Sequence, residues 1–148
     1  MIDAIIDEIL LKKSDWQDFT FESIYFGGGT PSILEENEYN RIIEAVKNNF
    51  RFSTHVELTL EANPDDINPT AVKKWKSAGI NRLSIGLQSL NNEELVFMNR
   101  SHTAAESMIA VDTRRVSRYF HGTKFACKSE VLTVPSKLNV EQVGQLYK

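Results

Sequence analysis

This sequence has little cysteine, no net positive charge and no long apolar run. One cysteine, Cys127, stands among 148 residues, which excludes an internal disulfide framework and is compatible with the cytoplasm. A net charge of −3 leaves no electrostatic footprint for binding nucleic acid. Asp3, Asp7 and Glu8 interrupt the apolar residues of positions 1–13, so that segment fits neither a signal peptide nor a membrane span.

The composition is that of one globular domain. Hydrophobic residues make up 41% and charged residues 25% of the chain, as in ordinary soluble proteins, and this length is enough to bury a core. Hydrophobic periodicity divides the chain into helices and strands. The predicted helices cover residues 2–13, 34–50, 69–78, 92–98 and 103–115. The predicted strands cover residues 23–26, 56–61 and 83–88.

Helices between successive strands indicate parallel strands, as in an open α/β sheet or a β/α barrel. Residues 56–61 and 83–88 alternate apolar and polar side chains, whereas strands of a doubly wound sheet are usually apolar on both faces. A barrel explains this pattern if its apolar face meets the helices and its polar face lines a ligand-filled lumen. A partly exposed open sheet is the alternative.

A glycine triplet follows the first predicted strand, in Tyr25-Phe-Gly-Gly-Gly-Thr-Pro-Ser32. Glycines at a strand end let a ligand approach the backbone closely. The segment is not a nucleotide phosphate loop, because no Gly-Lys-Ser/Thr follows, and no G-x-G-x-x-G dinucleotide motif opens the helix. Taken alone, such a triplet is most often a simple turn.

Polar residues stand where the other two strands end. Ligands of parallel α/β folds bind at the carboxyl ends of the strands, and Glu61 and Gln88 occupy such ends. Arg100 follows the short helix after the third strand. Each has an ordinary alternative interpretation: a surface carboxylate or cap, a loop glutamine, and a solvated arginine. His102 is predicted to be structural or solvated rather than a metal ligand, because its spacing from other histidines and from Cys127 fits no metal site.

Four segments occur in order along the chain: Tyr25–Ser32, Leu60-Glu-Ala-Asn-Pro-Asp65, Asn81-Arg-Leu-Ser-Ile-Gly-Leu-Gln-Ser89 and Asn99-Arg-Ser-His-Thr103. This ordered set resembles the radical S-adenosylmethionine (SAM) enzymes of the oxygen-independent coproporphyrinogen III oxidase family. Gly-Thr-Pro-Ser and Glu-Ala-Asn-Pro are most similar to its heme-chaperone (HemW-type) branch. The resemblance implies an α/β fold that is part of a radical-SAM partial (β/α) barrel with parallel strands, and so favours the barrel over the open sheet.

The resemblance also implies a cofactor site. It assigns SAM binding to Gly28, Gly29, Thr30, Glu61, Gln88 and Arg100. The glycine segment would lie against the methionine end of SAM, where a side chain at position 28 or 29 would intrude. The guanidinium of Arg100 suits the carboxylate of the ligand. No catalytic residue and no metal ligand is assigned.

The resemblance covers residues 1–115, expected to be a partial radical SAM β/α barrel. Residues 116–148 match nothing recognised, and a strand at 130–134 and a helix at 139–147 are predicted there. The family holds a [4Fe–4S] cluster on a CxxxCxxC loop that would lie upstream of the first helix, so the sequence reads as a fragment without that loop. Cys127 alone cannot supply the three thiolates, and no cluster is expected on this chain.

The parent family implies a cytoplasmic protein of heme metabolism that uses SAM and a [4Fe–4S] cluster. Its further partner would be heme or a porphyrin precursor, with neither nucleic acid nor a membrane span involved. This chain alone is expected to cleave no SAM. The alternative is a non-catalytic β/α module that serves for ligand binding or interaction.

Overall fold

The computed structural model describes residues 1–110, 123–127 and 130–134. Its helices are α1 (Ile2–Leu11), α2 (Lys13–Trp16), α3 (Glu36–Asn49), α4 (Pro69–Ser77), α5 (Asn92–Phe97) and α6 (Ala104–Ala110). Its strands are β1 (Thr20–Phe26), β2 (Arg51–Ala62), β3 (Arg82–Gln88), β4 (Thr123–Cys127) and β5 (Glu130–Val134).

The predicted elements are present, with some differences at their ends. Helix α2 and strand β4 were not predicted, and β2 begins at Arg51 rather than at residue 56. The strand expected at 130–134 is present as β5. The helix expected at 103–115 is seen over Ala104–Ala110, and its remainder lies outside the described residues, as does the helix expected at 139–147.

The strands form one sheet in the order β1-β2-β3-β4-β5. Neighbours from β1 to β4 are parallel, and β5 runs antiparallel to β4. Helix α3 connects β1 to β2 and helix α4 connects β2 to β3, which is the connection that parallel neighbours require. The carboxyl ends of β1, β2 and β3 therefore meet at one edge of the sheet.

The two faces of the sheet differ as their alternation predicts. On one face Leu60, Leu83, Ile85 and Leu87 have no exposed surface and share a core cluster with Trp75 of α4 and with residues of α3. The register pairs of the other face are Tyr25 with Thr59, Thr59 with Arg82, and Glu61 with Ser84. The helices thus cover the apolar face and leave the polar one for a ligand.

The loop between α4 and β3 sets where β3 begins. Gly79 at a φ of +90° follows α4, and the Ile80 amide donates to the Trp75 carbonyl at 3.0 Å, which is a Schellman end. Asn81 then bridges to β2: its Oδ1 accepts from the Leu58 amide at 2.8 Å and its Nδ2 donates to the Val56 carbonyl at 2.8 Å. These bonds fix β3 beside β2.

Within residues 1–110 and the two later strands, the helices are too short or too polar for any of them to cross a lipid bilayer.

Candidate ligand-binding site at the carboxyl ends of the strands

A cavity of about 240 Å³ lies where β1, β2 and β3 end. Its walls include Gly29, Thr30, Glu61, Gln88 and Arg100, which are predicted site residues. The remaining predicted residue, Gly28, contacts Glu61 beside it. The other lining residues are Pro31, Ser32, Ala62, Asn63, Ser84 and Gly86. The structure therefore brings together the residues that the sequence singled out.

The glycine turn needs glycine for two different reasons. Gly28 and Gly29 have φ angles of +80° and +59°, a left-handed conformation that favours glycine. Chain neighbours aside, a Cβ added at either would meet no atom of residues 1–110 within 4 Å, so the expected steric conflict there would have to come from a ligand. A Cβ at Gly27 would lie 2.6 Å from Cε1 of Tyr25 and 3.2 Å from Cδ of Glu61. The close approach within the chain is thus at Gly27, which sequence reasoning missed.

Glu61 is held by two donors from β1 and the turn after it. The Tyr25 hydroxyl donates to its Oε1 at 2.6 Å and the Gly28 amide donates to its Oε2 at 3.1 Å. Partial burial, and then the hydrogen bond to Glu61, raise the pKa of Tyr25, so the phenol stays a donor. Tyr25 was not predicted as a site residue, although its place on the same face as Glu61 follows from the strand alternation.

Gln88 sits in a strained backbone conformation. Its φ is +66°, and the Ser89 amide donates to the Leu87 carbonyl at 2.8 Å, which closes a three-residue γ-turn centred on Gln88. Turns of this hand are rare, and a non-glycine residue there costs about 1–3 kcal/mol. The side chain folds back over Gly86, where a Cβ would lie 3.0 Å from Nε2 of Gln88.

Arg100 is positioned by the end of α5. Asn99 has a φ of +53°, and the amides of Asn99 and Arg100 donate to the carbonyls of Val96 and Leu95 at 3.0 and 2.9 Å. This is a Schellman motif with asparagine in place of the usual glycine. It ends the helix at Phe97 and fixes the backbone from which the Arg100 side chain reaches the cavity.

The wall after the glycine turn is anchored to two other elements. The Ser32 hydroxyl donates to Oδ2 of Asp66 at 2.5 Å, and the hydroxyl of Tyr39 on α3 donates to the Pro31 carbonyl at 2.6 Å. Burial raises the pKa of Tyr39, which keeps that hydroxyl protonated. Local sequence patterns could not reveal the contact of Ser32 with Asp66, because the two residues are 34 positions apart.

A charged pair lies on the polar face farther from the strand ends. Arg82 binds both carboxylate oxygens of Glu57, and the Thr59 hydroxyl donates to Glu57 at 3.1 Å. The two charges compensate one another. Among the residues that the structure describes, Glu61 and Arg100 are the charged ones that line the cavity itself.

Of the two roles predicted for His102, structural or solvated, the structure shows the structural one. It is buried, and its Nε2 lies 3.1 Å from the Leu87 carbonyl. Among the residues that the structure describes, no group of three or more His, Cys, Asp or Glu is arranged to hold a metal ion.

Known proteins similar to this chain share one family. The sequence model of the radical SAM superfamily matches residues 3–123. The heme chaperone HemW of Haemophilus influenzae is 38% identical over 105 residues, which are 71% of this chain and 27% of that protein. The oxygen-independent coproporphyrinogen III oxidase of Salmonella typhimurium is 31% identical over 99 residues, or 67% of this chain and 22% of that one. The chain thus spans about a quarter of the length of these relatives.

Solved structures confirm the fold. The coproporphyrinogen III oxidase HemN of Escherichia coli, a radical SAM enzyme, superposes with a TM-score of 0.71 at 25% identity, over 84% of this chain and 29% of that one. The Elp3 protein of Methanocaldococcus infernus superposes with a TM-score of 0.60 at 20% identity, over 83% and 32% of the two chains. The parallel strands and their helices are part of an α/β barrel of this type, as predicted.

Proposed function

The chain belongs to the radical SAM superfamily, and we propose that its strand-end cavity is the SAM site of a HemW- or coproporphyrinogen-oxidase-like protein of heme metabolism. One observation carries the proposal. A carboxylate, a guanidinium, an amide and a glycine turn from four separate segments border the same cavity of about 240 Å³. Family resemblance predicted this set residue by residue, and the names of the relatives supply the heme or porphyrin partner. The cytoplasmic location of the parent is proposed from the family resemblance alone.

The chemistry of the donors fits SAM. Arg100 presents a guanidinium fork that matches the carboxylate of the methionine moiety. The backbone of the glycine turn offers carbonyl groups to the ammonium. Each oxygen of Glu61 accepts one bond from the chain and keeps a second lone pair for a hydroxyl or ammonium of the ligand.

The size of the cavity fits only part of such a ligand. Pockets for drug-sized molecules are about 300–1,000 Å³, which exceeds this cavity. The rest of SAM would extend out of the cavity over the polar face of the sheet. The substrate would then approach from the same side, because the helices cover the other face.

When bound beside a reduced [4Fe–4S] cluster, SAM supplies a carbon radical by cleavage of a carbon–sulfur bond. Cysteine thiolates hold such clusters, and the single cysteine of these 148 residues does not fit that donor set. We therefore propose that this chain positions SAM but neither holds the cluster nor cleaves SAM by itself. The chemistry of the whole protein would need the cysteine loop in addition.

Calorimetric titration of SAM into the chain tests the site. We expect weak, saturable binding to the wild-type chain, because the cluster would normally hold part of the ligand. Arg100→Ala should weaken it by about 1.5–3 kcal/mol, since a charge-assisted pair is lost. The control is Arg51→Ala, at the opposite end of β2, which should bind like the wild type. Equal binding by both variants, or no binding to any of them, would contradict the proposal.

The alternative function is a ligand-binding or interaction module without radical chemistry. The observation in its favour is a polar cavity of about 240 Å³ on a chain with one cysteine. The genomic DNA upstream of Met1 discriminates between the two. An in-frame CxxxCxxC there supports the radical SAM protein, whereas a genuine start site preceded by unrelated DNA supports the module.

A further inference from the structure

We propose that His102 is a positioning residue that holds Gln88 and Arg100 at a fixed separation across the cavity. Both side chains line the cavity, and both belong to the segment between Leu87 and His102. The imidazole closes that segment into a ring, because its Nε2 lies 3.1 Å from the Leu87 carbonyl. The inference rests on the proposed function in that it assigns the two side chains to one ligand.

The contact with the Leu87 carbonyl defines which nitrogen of the His102 imidazole carries a proton. A carbonyl oxygen only accepts hydrogen bonds, so Nε2 carries the proton and donates. The other nitrogen, Nδ1, lies 3.9 Å from Oδ1 of Asp65. With only 3% of its surface exposed, His102 has a fixed ring orientation. The hydrogen bond thereby ties the Leu87 carbonyl, next to Gln88, to His102, which lies two residues after Arg100.

The same carbonyl maintains the strained turn at Gln88. It accepts from the Ser89 amide at 2.8 Å as well as from His102. A left-handed residue other than glycine persists only where surrounding contacts hold it. The imidazole supplies such a contact from outside the turn, and without it the peptide between Leu87 and Gln88 is freer to rotate.

The other end of the ring is tied as well. The Ser101 hydroxyl donates to Oδ2 of Asp65 at 2.6 Å, and the Asn92 side chain accepts from the Ala104 amide at 2.9 Å. Inside the ring, the Ser89 hydroxyl donates to Glu94 at 2.5 Å. These contacts make the segment around α5 stiff. A shift of the Leu87 backbone would therefore also move Arg100.

Two polar replacements of His102 separate this role from simple filling of the core. The amide nitrogen of Gln can reach the place of Nε2, whereas that of Asn corresponds to Nδ1 and cannot reach Leu87. In His102→Asn we expect the amides of Ser89 and Arg100 to exchange about tenfold faster, while those of Leu60 and Ile85 stay as protected as in the wild type. In His102→Gln all four should exchange as in the wild type.

SAM titration then gives the second measurement. His102→Asn should bind about tenfold more weakly than the wild type, and His102→Gln about as well as it. If the wild-type chain bound no SAM, the proposed function would fail, while amide exchange would still decide the role of His102. The inference would be overturned by equal exchange in both variants, by faster exchange throughout the sheet, or by a variant that does not fold. The last two outcomes would show that the core, rather than the turn, needs the imidazole.

Discussion

The carboxyl ends of β1, β2 and β3 and the amino ends of β1 and β2 are built on opposite principles. At the carboxyl end, polar side chains and left-handed backbone surround the cavity, as at Gly28, Gly29 and Gln88. At the amino end, aromatic rings meet around Phe21, whose centroid lies 5.5 Å from that of Phe50 and 5.7 Å from that of Phe52. An apolar groove of about 380 Å³ lies beside them.

The difference shows how one sheet combines a stable body with a strained site. Ring contacts and apolar burial at the amino end contribute stability without directing any group at a ligand. At the carboxyl end, strain and fixed hydrogen bonds place groups at the cost of stability. Changes at the amino end should therefore alter the free energy of unfolding, and changes at the carboxyl end should alter ligand affinity.

Phe21→Ala should have the largest effect on stability. The ring contacts Trp16, Phe50 and Phe52 but is only partly buried, so we expect a loss of about 2 kcal/mol rather than the full cost of about 3–5 kcal/mol for a core phenylalanine. Denaturant unfolding measures it. Affinity for SAM, measured where the variant is folded, should not change.

The control for that variant is Phe19→Ala. Phe19 is 55% exposed, and its described ring contact is with Trp16. Removal of the Phe19 ring should lower the free energy of unfolding by well under half as much as removal of the Phe21 ring. Equal losses from Phe19 and Phe21, or a weaker SAM complex in Phe21→Ala, would break the division between the two ends.

Gln88→Gly should change stability and affinity in opposite directions. Glycine adopts a φ of +66° without strain, so the free energy of unfolding should rise by up to about 1 kcal/mol, partly offset by greater freedom of the unfolded chain. Loss of the amide should weaken SAM binding by about tenfold. Thermal unfolding and titration on the same sample measure both. A less stable variant with unchanged affinity would show that the turn is neither strained nor part of the site.

Much of this division could be predicted from the sequence. Strand alternation assigned Leu83, Ile85 and Leu87 to the core, and the rule that ligands bind at strand ends selected Glu61 and Gln88. The structure buries the first three and places the other two at the cavity. Both properties are local: side chains of a strand alternate at every step, and a strand end is visible as a turn.

What could not be predicted depends on long-range contacts. Tyr25 and Glu61 are 36 residues apart and Ser32 and Asp66 are 34 apart, so no local pattern marks them as pairs. The early start of β2 has a similar cause, because its first residues pair with β1 through the contact of Phe52 with Phe21.

Tyr25→Phe should weaken SAM binding with little effect on stability. The phenol is 58% exposed, and its removal leaves Oε1 of Glu61 without the bond of 2.6 Å that orients it. The expected loss is about 1 kcal/mol, or about fivefold in affinity. Gly27→Ala is a related test, because the added methyl group would displace the same ring. If Tyr25→Phe bound SAM as well as the wild type, Glu61 would need no orientation from β1.

The difference in SAM affinity between the wild-type chain and Tyr25→Phe should disappear at high pH. The pKa of Tyr25 is raised, so its contribution is complete below the ordinary tyrosine value of 10.0 and is lost as the pH rises through the higher folded value. The wild-type chain should then approach the affinity of Tyr25→Phe, since a phenolate donates nothing to Glu61. A difference that persisted unchanged through that range would contradict the donor role.

The smallest effect expected is local loosening in acid at the start of α6. The Thr103 amide and hydroxyl donate to Oε2 of Glu106 at 2.7 and 2.9 Å, and these bonds lower the pKa of Glu106 from its ordinary value of 4.5. A lowered folded pKa contributes stability above that ordinary value and loses it as the pH falls through the folded value. As the pH falls through the folded pKa of Glu106, the amides of Thr103 and Glu106 should therefore exchange faster relative to their intrinsic rates. The amides at the aromatic amino end should stay as protected as before. Glu106→Gln removes the titration and should show no such change. Loss of protection at Phe21 and Phe52 in the same window would mean that the two ends of the sheet unfold as one unit.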